Sequence, residues 1–151
     1  LIEYNARFGD PEAMNVLPLL KTPLADVCQA IVDGNLDEVE FEDKASVCKY
    51  IVPDGYPETQ YAGELIEVDE EAIEDMGAKV FYAAVSKEDD GIHLSGSRAL
   101  GIVASGESIE DAEKIAEKAC EFVKGNVYHR RDVGTTELVN KRVEHMKEIL
   151  N

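Results

Sequence analysis

The chain has 151 residues, with 15 lysines and arginines against 32 aspartates and glutamates and a formal net charge of -17. So acidic a field argues against binding nucleic acid or an anionic membrane over the surface as a whole, while leaving room for a local cationic pocket. Hydrophobic residues at 44% and charged residues at 31% describe a soluble globular chain long enough for one ordinary core, and no apolar run approaches the roughly 18 residues of a membrane span.

Cys28, Cys48 and Cys120 lie far apart in apolar contexts without CxxC spacing. That usage points to free buried thiols in a reducing compartment rather than to disulfides or a zinc site. No signal peptide is recognised, so a cytoplasmic location is expected. The sequence starts at Leu1, within a predicted strand, and a fragment of a longer polypeptide is expected.

Residues 1–8 alternate as a strand should, with Ile2, Tyr4, Ala6 and Phe8 on one face and Glu3, Asn5 and Arg7 on the other. Asp10 then reads as a helix N-cap, Pro11 as the first helical residue and Glu12 as a first-turn acid, and Pro18 ends or kinks that helix. Thr22 and Pro23 repeat the start signal. Leu24, Val27, Cys28 and Ile31 follow at helical spacing until Gly34 closes the helix. The acidic stretch NLDEVEFEDK at 35–44 lacks apolar periodicity, and a boundary placed there divides the chain into domains 1–35 and 36–151.

Beyond it the character changes to strands, predicted at 45–53, 63–68, 79–86, 91–95 and 97–106, with Asp90-Gly91 turning one antiparallel hairpin. Ser108 and Asp111 form a capping pair for a helix whose apolar face runs from Ile109 to Val123 and ends at Gly125. A last helix starts near Thr136 with Val139, Val143, Met146 and Leu150 on one stripe. Strands packed against a few helices in this irregular order predict an α+β fold.

On a strand, Glu3, Asn5 and Arg7 project the same way at steps of roughly 6.6 Å. Hard cations such as Mg²⁺ take carboxylate and amide oxygens together with phosphate oxygens, and a neighbouring arginine can hold the same phosphates. The row therefore suits a metal-nucleotide site, and it equally suits a solvated face of an amphipathic edge strand.

The longer string E-x-N-x-R-F-G-D-P-E at 3–12 resembles the closing strand of the ATP-grasp fold as it occurs in the phosphoribosylamine-glycine ligase (glycinamide ribonucleotide synthetase) family. Further stretches agree in order and spacing: ASVCKYIVPDGYP at 45–57 resembles the start of that family's C-terminal domain, GSRALGIVASGESIEDA at 96–112 its Gly-Ser-Arg strand and helix start, and HRRDVG at 129–134 its closing motif. The resemblance covers nearly the whole chain. It implies the last strand and helices of an ATP-grasp domain, followed by a small C-terminal domain of mostly antiparallel strands packed with helices.

For function, the resemblance implies part of a ligase of purine biosynthesis. ATP would phosphorylate the carboxylate of glycine, and the amine of 5-phosphoribosylamine would displace phosphate from the glycyl phosphate. Glu3 and Asn5 match the family's ligands for Mg²⁺ or Mn²⁺, and Arg7 would steady the ATP γ-phosphoryl group or the acyl phosphate in a catalytic and nucleotide-binding role. Asp10 has two readings, the favoured N-cap and a cap whose second oxygen also receives a substrate amine or hydroxyl in catalysis. Arg98 falls near the cleft by resemblance, as a substrate-binding candidate, and could equally be a partly solvated arginine at the start of a strand. His129, Arg130, Arg131 and Asp132 make one locally basic spot, read as a salt-bridged turn in preference to a phosphate site. His93 and His145 show no metal-ligand spacing with a cysteine or second histidine.

Alone, these 151 residues are expected to be inactive, since an ATP-grasp site needs two lobes; the partners implied are ATP, glycine, 5-phosphoribosylamine and the remainder of the same polypeptide. Two rival readings stay open: a different ATP-grasp ligase, and a stand-alone binding module derived from the ligase.

Overall fold

The structure is a computed structural model that describes residues 4, 6–58 and 62–150. Within them the architecture is α+β, with five helices and two four-stranded antiparallel sheets. In chain order come α1 (Glu12–Val16), a 3-10 turn (Leu17–Leu19), α2 (Leu24–Asp33), β1 (Ala45–Pro53), β2 (Ala62–Val68), α3 (Glu70–Asp75) and β3 (Ala78–Tyr82). Then follow β4 (Val85–Glu88), β5 (Gly91–Ser95), β6 (Leu100–Gly106), α4 (Ile109–Cys120), β7 (Val123–Lys124), β8 (Val127–His129) and α5 (Thr136–Leu150). One sheet has the order β3-β6-β1-β8 and the other β4-β5-β2-β7. None of the described helices is long and apolar enough to cross a membrane.

Strand β1 organises the molecule because its two faces meet different partners. Val47, Lys49 and Ile51 point into the core roofed by α4, which buries Ala112, Ala116, Ala119 and Cys120. Ser46, Cys48, Tyr50 and Val52 point the other way, as the period of two requires. There Ser46 exchanges hydrogen bonds with Asn15, and the Cα of Gly101 faces Met14: a Cβ at Gly101 would come to 3.0 Å from the Met14 Sδ, so any larger residue there pushes the Met14 side chain outward by a few tenths of an ångström.

The core face holds an ammonium. Lys49 is 1% exposed, and its Nζ donates to Glu113 Oε1 at 2.7 Å, Glu117 Oε2 at 2.6 Å and the Arg131 carbonyl at 2.9 Å. Burial opposes the charge on Lys49, but the two carboxylates outweigh it and raise the pKa. Burial likewise pushes Glu117 upward, and hydrogen bonds from Lys49 and His129 more than offset this, holding it below the usual glutamate range. His129, Arg130, Arg131 and Asp132 form a salt-bridged turn here: His129 lies 3.1 Å from Glu117 and Arg130 grips Asp132 through two N–H groups.

In the second sheet, β4 and β5 form the expected hairpin, its turn residues Asp89 and Asp90 lying between the pair Glu88 and Gly91. His93 on β5 has Nδ1 2.9 Å from the Gly63 carbonyl and Nε2 2.8 Å from Asp90. Both neighbours are acceptors, an arrangement that favours a hydrogen on each ring nitrogen and so the charged form of the ring. The Gly63 carbonyl first and Asp90 second raise its pKa.

Several expectations are corrected. Among residues 1–8, those described (Tyr4, Ala6, Arg7 and Phe8) carry no strand assignment; no described segment offers them a ladder, and Tyr4 and Phe8 are exposed. The expected strand 79–86 breaks into β3 and β4, and the strand expected from 97 begins at Leu100. The helix expected to reach Gly125 ends at Cys120, after which Val123 joins β2 through β7. Cys48 and Cys120 are free and buried as expected, whereas Cys28 is free and exposed, because α2 buries no residue among those described. The α2 stop is as expected, with Gly34 left-handed at φ 69.

Removing Lys49 takes the shared ammonium from Glu113 and Glu117 and leaves Glu117 only His129 at 3.1 Å and Arg131 at 3.7 Å. Lys49→Met lowers the unfolding free energy by about 3 kcal/mol, and adding Glu113→Gln and Glu117→Gln returns a substantial part, as read by urea unfolding. The two titrating groups act in opposite directions. Glu117, lowered on folding, contributes stability fully present above the ordinary value of 4.5 and lost as pH falls through its folded value. His93, raised on folding, contributes stability fully present below 6.5 and lost as pH rises through its folded value. Thermal midpoints across pH for Glu117→Gln and His93→Gln, each against the unmodified chain, read these two limbs separately.

Candidate functional site

The sequence candidates fall into three groups. Glu3 and Asn5, expected to hold a metal, lie outside the described residues. Arg7 is exposed at a bend, donates to the Phe8 carbonyl at 2.8 Å, and among the described residues has no carboxylate within ion-pair distance. Asp10 and Arg98 come together although they are 88 positions apart.

Asp10 does not cap α1. The helix begins at Glu12 with Pro11 in the cap position and no side-chain cap, and the first turn is closed by the Ala13 amide donating to the Gly9 carbonyl. The carboxylate turns instead to the sheet: Arg98 Nη2 donates to Oδ2 at 2.8 Å, and the Tyr50 hydroxyl donates to Oδ1. A charge-assisted bond plus a phenol bond outweighs one amide bond at a helix start. The expected substrate contact to the second Asp10 oxygen therefore competes with a partner supplied by the protein itself.

Arg98 completes the cluster. Its Cζ lies 4.9 Å from the Tyr50 ring centroid, within cation–π range, so ring, carboxylate and guanidinium form a closed triangle. Three segments supply it: the turn before α1, the upward face of β1 and the approach to β6. Burial, then the hydrogen bond and charge of Asp10, hold the Tyr50 phenol well above its usual range against the opposing pull of Arg98, which keeps the hydroxyl a donor at neutral pH.

Beside the triangle runs a cleft of 380 Å³ lined by Pro11, Cys48, Tyr50, Tyr56, Tyr128 and Arg130 among others. Its walls are mostly apolar, and the charged groups stand at its margin. Cys48 in its floor is no nucleophile, since burial, and then Asp10, push its thiol up to about 12. Among the described residues one other group has metal-ligand chemistry, Glu88, Asp90 and His93, whose ligand atoms lie within 4.8 Å of one another. It sits on the β4–β5 hairpin, and both ring nitrogens of His93 already face acceptors, the Gly63 carbonyl and Asp90.

Reasoning from the sequence named Asp10 and Arg98 separately and missed Tyr50. The available signal was the alternation of β1: with Lys49 directed into the core, Tyr50 must face the segment that carries Asp10. Removing the carboxylate charge lowers the Tyr50 phenol pKa. In a Tyr82→Phe background, which removes the other phenol held high by burial and Glu70, Asp10→Asn shifts the highest step of the ultraviolet tyrosine titration to lower pH, while Asp54→Asn leaves it in place.

Known proteins resemble this chain closely. It is 88% identical over 151 residues to a phosphoribosylamine–glycine ligase of Methanobrevibacter smithii, covering 100% of this chain and 35% of that protein. It is 58% identical over 149 residues to the ligase of the same name from Methanothermobacter thermautotrophicus, covering 99% and 34%. The chain thus spans about a third of the length of these curated relatives. The crystal structure of phosphoribosylamine–glycine ligase from Thermotoga maritima matches with a TM-score of 0.72 at 28% identity, covering 87% of this chain and 32% of that one. Residues 46–136, more than half of the chain, match the family described as phosphoribosylglycinamide synthetase, C domain, and the chain belongs to that family.

Proposed function

We propose that the chain is the C-terminal third of a cytoplasmic ATP-dependent ligase that joins 5-phosphoribosylamine to glycine in purine biosynthesis. Residues 1–35 close its ATP-grasp domain and residues 36–151 form its C-terminal domain. The single observation that supports this reading best is the meeting of two separate motif stretches: Asp10 of RFGDPE and Arg98 of GSRALG are ion-paired across 88 positions. The names of the close relatives support the same reading.

The reaction has two steps. The glycine carboxylate takes the γ-phosphoryl group of ATP, forming a glycyl phosphate and releasing ADP; the phosphoribosylamine nitrogen then attacks the acyl carbon, the C–O bond to phosphate breaks, and the amine proton is lost. Glu3 and Asn5 offer one carboxylate and one amide oxygen, donors that suit Mg²⁺ or Mn²⁺. A metal held there would screen the phosphate charge during transfer. Arg7, without an acidic partner among the described residues, supplies a planar cation for the transferring phosphoryl group. Arg98 commits one terminal nitrogen to Asp10 and keeps its other N–H donors for an anionic oxygen of a substrate, carboxylate or phosphate. Asp10 serves catalysis by fixing that guanidinium. Positioning of this kind lowers a barrier by removing motion that would otherwise have to be frozen at the moment of reaction.

ADP release by the full-length enzyme tests this, with ATP, Mg²⁺, glycine and freshly made phosphoribosylamine. Turnover is expected to require both substrates. It is expected to fall at least about a hundredfold in each of Glu3→Gln, Asn5→Ala and Arg7→Lys, a loss of about 2.7 kcal/mol in transition-state stabilisation. Turnover that ignores the three changes would remove these roles and leave the ligase; absence of glycine-dependent ADP would remove the ligase.

A further inference from the structure

Arg98 and Asp10 are both substantially open to water, with side chains 40% and 52% exposed. An ion pair in that setting is worth little and holds its geometry poorly, because water competes for each partner and two long side chains must be ordered. Yet a guanidinium that reads a substrate anion has to be fixed in orientation. Something beyond the pair must supply the rigidity.

We propose that Tyr50 is the positioning residue of this site: its ring supports one face of the Arg98 guanidinium and its hydroxyl holds the other oxygen of Asp10, leaving the guanidinium edge as the anion-reading surface. The inference rests on the ligase reading above and adds to it a residue that contacts no substrate. Each part of the geometry limits one motion. The ring, its centroid 4.9 Å from Cζ, limits the swing of the guanidinium toward the sheet. The bond to Oδ1 stops the carboxylate from rotating away when Oδ2 receives Arg98. Tyr50 itself cannot drift, since it stands on β1 between β6 and β8: Tyr50 pairs with Gly101, and the neighbouring Ile51 pairs with both Leu100 and His129. The anchor is therefore a two-sided strand, whereas Asp10 and Arg98 lie on irregular segments.

Simple packing would explain a tyrosine beside Cys48, Tyr56 and Tyr128 in the cleft wall. It would not require the hydroxyl to land on the same carboxylate that binds the arginine above the ring. With one face covered and one terminal nitrogen committed to Asp10, the donors that remain lie in the guanidinium plane. That edge suits a carboxylate or a phosphate approached in plane, the geometry arginine recognises best.

The test uses the full-length enzyme and steady-state ADP formation, titrating glycine and phosphoribosylamine in turn. Tyr50→Leu removes ring and hydroxyl and is expected to raise the KM of one substrate about tenfold while kcat falls less than about threefold. The substrate affected identifies the anion as glycine's carboxylate or the sugar phosphate. Tyr50→Phe keeps the ring and the packing, and is expected to raise the same KM about threefold, a partial rescue. The decisive arm places both changes in an Arg98→Met background. If Tyr50 acts through Arg98, neither change raises KM further there. A wild-type KM in both single variants would overturn the inference, as would a full additional loss on top of Arg98→Met, and either result would leave the ligase standing. Should Tyr50→Leu fail to fold, Tyr50→Phe alone and in the Arg98→Met background decides the matter by the same two criteria. Absence of glycine-dependent ADP in the unmodified enzyme would overturn both the ligase reading and this role, and is distinguishable because it precedes any variant.

Discussion

The ammonium of Lys49 is the constraint on which the rest of the structure depends. A lysine with its charged end inside a small domain is tolerated only if that end is fully partnered, and here two carboxylates from α4 and one carbonyl from the turn after β8 do so. Those three contacts tie together the central strand, the roofing helix and the segment leading toward α5. They also forbid one alternative outright. A slip of β1 by one residue would carry Lys49 into the cleft and drive Tyr50 beneath α4, leaving Glu113 and Glu117 facing an aromatic ring. The buried charge thus specifies register as much as it contributes stability, and register is what delivers Tyr50 to Asp10 and Arg98.

The global charge sets a second condition. A chain with a formal charge of -17 repels phosphates and carboxylates at long range, although salt confines that repulsion to within about 8 Å of each charge at physiological ionic strength. Anion recognition on such a body has to come from guanidinium groups held at short range with their donors already oriented. Arg98 and Arg130 both stand at the margins of the cleft region, and both are paired with an aspartate. Pairing of this kind dilutes the net positive charge and makes direction, rather than field strength, the recognising element. A planar fork fits that task and a lysine would not.

What the sequence made legible follows from where a local signal was complete. Strand β1 and the cap of α4 were readable to the residue, because a β-branched and aromatic run of nine positions bounded by turn residues and the Ser108–Asp111 pair are both complete local signals. The two-residue β7 and three-residue β8 were not, since neither is long enough to show a period; they exist because β2 and β1 offer them a ladder. The six-residue α3 starts on an Asp69 cap that went unread amid a run of acids. Cys28 shows the other limit: periodicity reports that a helix face is apolar, not that anything described covers it. For the site, the motif stretches carried Asp10 and Arg98 as separate residues, and no linear feature joined positions 10, 50 and 98.

Asp10 shows why the local rule failed where it did. Aspartate before proline and glutamate is a strong helix-start signal, and α1 does begin there, yet the side chain leaves its own helix uncapped and crosses to the sheet. A five-residue helix beginning without a side-chain cap is weak by itself, and it persists through its seat on β1 and β6 by way of Met14 and Asn15. Tertiary packing has therefore taken over the stabilising task that the cap would have performed, which frees the carboxylate for Arg98. Local rules are expected to give way where a side chain has a second use. In this chain the departure falls on the residue that joins two distant motif stretches, so the broken cap and the assembled triangle are one feature seen from the helix and from the sheet.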